Sequence, residues 1–284
     1  MNSLIGFYED LINYSFLRDA FFVSLVLGVG CGIMGCFIIM RGLSLMGDAI
    51  SHAVIPGVAI SYILKINYLV GAVAFGVLAA LGMGYIKENS KIKNDTAIGI
   101  VFSAFLALGI LLITKIESPI DLNNILFGNV LTVKAGERLA TYIAVASILI
   151  LILLFYKEML LTTFDPIMAK VSGLPVKFIN YMIMTMLTII TVVSLQTVGA
   201  ILVVAMLITP AATAYLLTNQ FKKMMWFSAI IGAVAAIIGL YFSVTYNLPS
   251  GVVIVLSAAV IFTFVFFLSP KNGILINYIK DKKQ

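Results

Sequence analysis

Asp48 and His52 are the only ionisable side chains inside any of the long apolar runs of this sequence. Four residues apart on a helix, they share one face, separated by about 40° around the axis. A carboxylate near mid-bilayer costs about 2.5–3.5 kcal/mol even on a lenient insertion scale, so something must offset it. Three arrangements would do so. Asp48 caps a short helix starting after Gly47, with His52 simply paired to it; the pair relays protons; or an oxygen and an imidazole line the route of a divalent cation. Two ligands are too few for a tight site but suit brief coordination during passage. A symmetric second copy would double the set to two aspartates and two histidines. An intramembrane enzyme fits poorly: an aspartyl protease needs two aspartates, and Ser51, beside His52, points about 100° away around the helix.

The elements that must position this pair follow from composition. Of 284 residues, 62% are hydrophobic and 11% charged, with a mean hydropathy of +1.14. A soluble domain carries about a quarter charged residues, so the chain is expected to be an all-α, polytopic membrane helical bundle. At roughly 20 residues per crossing, eight or nine transmembrane helices fit. Apolar runs cover 20–40, 42–64, 66–86, 96–114 and 139–156. Two longer runs, 178–221 and 224–269, each allow two passes, turning near 196–199 and at NLPSG, 247–251. Eight spans result if the second run, or one pass of 178–221, enters and returns without crossing. The mixed stretch 115–138 is expected to hold a short interfacial helix. No internal repeat is visible, and 1–284 reads as a single transmembrane domain.

The net charge of +6 does not point to nucleic acid, because the cations sit in short strips between apolar runs rather than in one patch. The strips at Lys87/Lys91/Lys93, Lys157/Lys170/Lys177, Lys222/Lys223 and Lys271/Lys280/Lys282/Lys283 fall on one face if crossings alternate, which makes the basic tail 270–284 cytoplasmic. Nine spans would then leave the N-terminus outside. Residues 1–19 have neither the basic leader nor the cleavage site of a secretory signal, and no processing is expected. One histidine and two cysteines exclude a multi-histidine cage, a disulfide framework and a zinc ribbon within one chain. Cys31 and Cys36 read as packing residues. GVGCGIMG, 28–35, lies mid-span and lacks the βαβ setting of a dinucleotide loop. Gly28 and Gly32 share a face suited to close helix packing.

RGLSLMGDAISHAVIPG, 41–57, closely resembles the most characteristic motif of the membrane permease subunits of bacterial ATP-binding-cassette importers for zinc, manganese and iron. DTAIGIVFSAFLALG (95–109), ILFGNVLTV (125–133) and VGAILVVAMLITPAATAYLL (198–217) are similar to that family's other segments, in its order. The resemblance covers nearly the whole chain, and is nearest to the manganese permeases of Gram-positive bacteria. It implies a multi-pass permease in the bacterial plasma membrane that imports a divalent cation, Mn2+ first, with Zn2+ or Fe2+ as alternatives and an ATPase-independent cation transporter as the runner-up. It also implies a homodimer, an extracellular metal-binding lipoprotein, a cytoplasmic ATPase subunit and no permanently bound cofactor. The chain has no GxxxxGK[ST] phosphate loop, in keeping with ATP hydrolysis by another subunit. By the resemblance, Asp48 and His52 fall on the metal pathway. TTFDPIMAKVSGLPV, 162–176, is similar to the cytoplasmic coupling helix that docks into the ATPase. There Asp165 and Pro166 read as a helix start, and Ala169 and Gly173, four apart, as a small-residue face. Pro56 and Gly57 are expected to bend the helix that carries the pair and to free a carbonyl as a further oxygen ligand. Pro210 has the same capacity, but packing accounts for it equally.

Overall fold

The computed structural model describes residues 4–116 and 130–269, which form thirteen α-helices and one 3-10 turn, with no strand among the described residues. In chain order these are α1 (Leu4–Asn13), α2 (Ser15–Met40), α3 (Met46–Ala53), α4 (Ile55–Leu64), α5 (Tyr68–Asn89), α6 (Asn94–Ile116), the 3-10 turn Val130–Thr132, α7 (Ala135–Leu154), α8 (Tyr156–Phe164), α9 (Pro166–Val171), α10 (Val176–Val198), α11 (Ala200–Leu217), α12 (Phe221–Tyr246) and α13 (Ser250–Leu268). Nine helical segments among the described residues are long and apolar enough to cross a membrane, α3 and α4 counting as one, Met46–Leu64. The all-α expectation holds. The two long runs break where turn chemistry predicted: at Gly199, whose φ of +82° suits glycine alone, and at Asn247, which ends α12 in the left-handed region. In the stretch 115–138 only a 3-10 turn lies within the described residues before α7 begins; 117–129 of the expected interfacial helix, like the basic tail 270–284, lies outside them.

Backbone contacts divide the chain into two compact units interleaved in sequence. The described residues of the first are 4–39, 130–142 and 197–269. In it α2 and α12 cross on small residues: a Cβ on Gly28 would stand 2.6 Å from the carbonyl oxygen of Gly232, and the Ser228 hydroxyl donates to the Gly32 carbonyl at 2.6 Å. With no hydrophobic force between helices in lipid, such close approach supplies dispersion and polar contact instead. Cys31 and Cys36 are buried inside α2 as packing residues. Pro210 lies buried inside α11. An ion pair joins Arg138, in the first turn of α7, to Asp19 of α2.

The second unit draws on 40–122 and 143–196. α3 and α4 pack on α5 and α6, and α5 packs on α10 through Gly76, against Thr188 and Val192, and Gly84, against Met184 and Tyr181. Glu88, near the end of α5, accepts from Tyr181 and lies 3.8 Å from the Lys177 ammonium, so α5 and the start of α10 are held by charge as well as packing.

Candidate functional site

The run 42–64 is not one helix. α3 ends at Ala53 and α4 begins at Ile55, with Pro56 in the first turn of α4. Val54, the one residue between them, keeps right-handed helical dihedrals (φ −78°, ψ −16°), and its N–H still bonds the Ile50 carbonyl at 3.2 Å. Pro56, which offers no N–H to the His52 carbonyl one turn back, therefore interrupts an otherwise continuous helical run, as expected from the sequence. Two glycine contacts clamp this double element. Gly57 meets Gly71 of α5 backbone to backbone, and Gly109 of α6 accepts Ile55 and Pro56 so closely that a Cβ there would lie 2.8 Å from the Ile55 side chain. The clamped face buries Ala49, Ile50, Ala53 and Val54.

Asp48 and His52 stand on the other face. The His52 Nε2 lies 3.7 Å from the Asp48 Oδ1, and their side chains are 25% and 51% exposed. The Asp48 carboxylate does not cap: the N-cap position is Leu45, and no side chain caps this helix. Capping thus drops out as an account of Asp48. His52 rests edge-on against Phe102 of α6, ring centroids 5.5 Å apart, which orients the imidazole. Ser51 is buried and donates to the Gly47 carbonyl at 2.9 Å, so it is not available to His52 as a nucleophile. Among the described residues no third histidine, cysteine or carboxylate gathers with a pair like this one. One chain presents an open, two-donor face: one hard oxygen and one imidazole, a set that matches first-row divalent cations.

The 162–176 segment folds as a helix pair joined at Asp165. The Asp165 carboxylate accepts the Met168 N–H at 2.8 Å, and Pro166 takes the first helical position of α9. The expected small-residue face does not form. Ala169 is wholly buried, whereas Gly173 lies beyond the end of α9, at φ +80°. Gly173 instead terminates the helix: its N–H reaches the Lys170 carbonyl (3.1 Å) and the Leu174 N–H reaches the Ala169 carbonyl (3.0 Å), the paired bonds of a Schellman motif. Beside the charged Lys170, α9 exposes an apolar pair that was missed in the sequence. Ile167 and Val171 are each 77% exposed, and their i, i+4 spacing was the available signal.

Just before α3, Arg41 was visible only as a letter in a motif. It donates to Thr163 Oγ1 of α8 (3.0 Å) and to Asn180 Oδ1 of α10 (2.7 Å), partners 122 and 139 residues away.

Membrane-crossing helices, a carboxylate and imidazole pair on an open face, and a capped short helix between two crossings define an α-helical membrane transport protein. The chain belongs to the ABC 3 transport family, whose model matches residues 13–269. It is 56% identical over 271 residues to the manganese transport system membrane protein MntC of Listeria monocytogenes, covering 95% of this chain and 97% of that one. It is 49% identical over 274 residues to the manganese import system permease protein ScaB of Streptococcus gordonii, covering 96% and 99%. Among solved structures it is similar to PsaBC from Streptococcus pneumoniae in complex with Fab, at 49% identity and a TM-score of 0.86, covering 99% of this chain and all of that one.

Proposed function

We propose that this chain is the membrane-spanning permease subunit of an ATP-driven importer of divalent transition-metal cations, with Mn2+ as the cargo. The observation that carries the reading is the Asp48–His52 pair, 3.7 Å apart on the open face of a glycine-clamped helix, in a chain 56% identical to a manganese transport membrane protein. The two donors replace part of the ion's water shell. Carboxylate charge favours divalent over monovalent ions, while two ligands hold too loosely to trap them. The permease acts as one domain, 1–284, and as a homodimer, so that a second copy brings a second Asp48 and His52 to the path. An extracellular metal-binding lipoprotein delivers the ion. Mixed oxygen and nitrogen ligands do not by themselves select manganese over zinc or ferrous iron, since affinities follow one general order in such sites. Much of the choice therefore falls to the delivering protein.

ATP is hydrolysed by a separate cytoplasmic subunit. α9 is the coupling helix: Asp165 and Pro166 start it, Ala169 seats it against its own chain, Gly173 ends it, and Ile167 and Val171 face the ATPase. In this reading the chain lies in the bacterial plasma membrane with all four lysine strips and the C-terminus cytoplasmic; nine alternating crossings and the positive-inside rule support that orientation. In this reading Asp48→Ala abolishes manganese-dependent growth while the variant still assembles with its ATPase; normal uptake by Asp48→Ala overturns the path. Growth rescue ion by ion, in cells lacking the chain, tests the cargo.

A further inference from the structure

The turn that leads into α3 opens with a half-buried cation that makes no ion pair among the described residues. Arg41 stands seven residues before Asp48, next to Gly42 (φ +63°) and the buried Leu43. Its Nε donates to Thr163 Oγ1 at 3.0 Å and its Nη1 to Asn180 Oδ1 at 2.7 Å. The Thr163 hydroxyl spends its own proton on the Met159 carbonyl, at 2.6 Å, so its oxygen faces the guanidinium purely as an acceptor. Both partners are neutral, and Arg41 makes no ion pair among the described residues. The third nitrogen, Nη2, is buried with no acceptor among them. Burial pushes the guanidinium down to about 10, still charged at neutral pH.

A half-buried charge with one buried, unpartnered nitrogen is a costly way to hold helices together, since neutral packing serves stability as well or better. The position of its partners supplies another reason. Thr163 is next to the last residue of α8, and Asn180 lies in the second turn of α10. These helices lead into and out of α9. A single rigid fork thus joins both flanks of α9 to the short turn that carries α3, and with it Asp48 and His52. The unused Nη2 donor leaves the fork able to exchange acceptors as the flanking helices shift.

We propose that Arg41 is a positioning residue that transmits displacement of α9 to the Asp48–His52 helix, through its bonds to Thr163 and Asn180. The proposal rests on the reading of α9 as the ATPase contact. Its test is the amount of Mn2+ imported per ATP hydrolysed by the complete complex, with its delivery protein, in proteoliposomes. Arg41→Gln keeps a neutral hydrogen-bonding side chain and loses the charged fork. The expected result is a complex that assembles, melts near the parent temperature and hydrolyses ATP, with Mn2+ imported per ATP lower by about tenfold, within the range of coupling free energies between linked sites. Arg41→Lys, which retains the charge but not the fork, recovers part of the loss. An unchanged ratio, or uptake and hydrolysis falling in parallel, overturns the proposal. Should Arg41→Gln fail to assemble, the double variant Thr163→Val/Asn180→Ala, with Arg41 intact, decides by the same ratio. Ile167→Asp separates the two readings: if it leaves the ATPase bound, the docking role of α9 fails; if it releases the ATPase while Arg41→Gln keeps the parent ratio, only the Arg41 proposal fails.

Discussion

Gly57 and Gly71 meet without side chains between them: a Cβ on Gly57 would stand 2.1 Å from the Gly71 carbonyl oxygen, and one on Gly71 would stand 2.3 Å from that of Gly57. The contact lies one turn beyond His52, so the spacing of α4 from α5 also sets where the imidazole stands.

Gly71→Val therefore forces α4 away from α5. Overpacking of this kind costs about 1–3 kcal/mol, and here the Cβ would meet the Ser61 hydroxyl at 2.0 Å and, behind it, the Gly57 carbonyl oxygen at 2.3 Å, a backbone atom that cannot rotate aside. The detergent-solubilised complex is expected to melt several degrees lower and to import Mn2+ poorly. Gly82→Ala is the matched control on the same helix, since a Cβ there meets nothing nearer than Val101 at 3.9 Å. Equal melting of the two variants would mean that the crossing does not hold α4.

His52→Ala removes one of the two donors of the proposed path but no buried packing atom of the clamped face. The external Mn2+ concentration needed for half-maximal uptake is expected to rise about tenfold or more, the size seen even for outer-shell contacts to a metal. Association with the ATPase stays intact. An unchanged concentration dependence would remove His52 from the path and leave Asp48 alone.

Asp165→Ala takes the cap from α9, a loss of about 0.5–2 kcal/mol of helix stability. In a helix of six residues, that is enough to fray the proposed docking surface. Binding of the ATPase is expected to weaken several-fold, as read by co-purification against a titrated ATPase, and Asp165→Asn, which still accepts the Met168 N–H, restores it. Failure of Asp165→Asn to restore binding would mean that the charge matters and not the cap.

Much of the architecture was legible locally. Spans follow from hydropathy, and the breaks at Gly199 and Asn247 from residues that accept positive φ. The Asp48–His52 juxtaposition is built into helix geometry, since i and i+4 share a face wherever the helix lies. The cap at Asp165 followed from the Asp-Pro pair in the same way. Reading failed where local rules gave two answers. Ala169 and Gly173 have the spacing of a common face, yet glycine serves equally to end a helix, and a six-residue α9 leaves Gly173 outside it.

The amino-acid pattern alone settled that this is a multi-pass helical membrane protein with one carboxylate and one imidazole paired inside a span, because burial in lipid and the helical repeat act over a few residues at a time. Only the tertiary structure decided which side of α3 stays open, which glycines clamp it, and that Arg41 reaches Thr163 and Asn180 across more than a hundred residues. Those relationships depend on how helices cross, and a crossing joins positions whose separation along the chain carries no periodic trace.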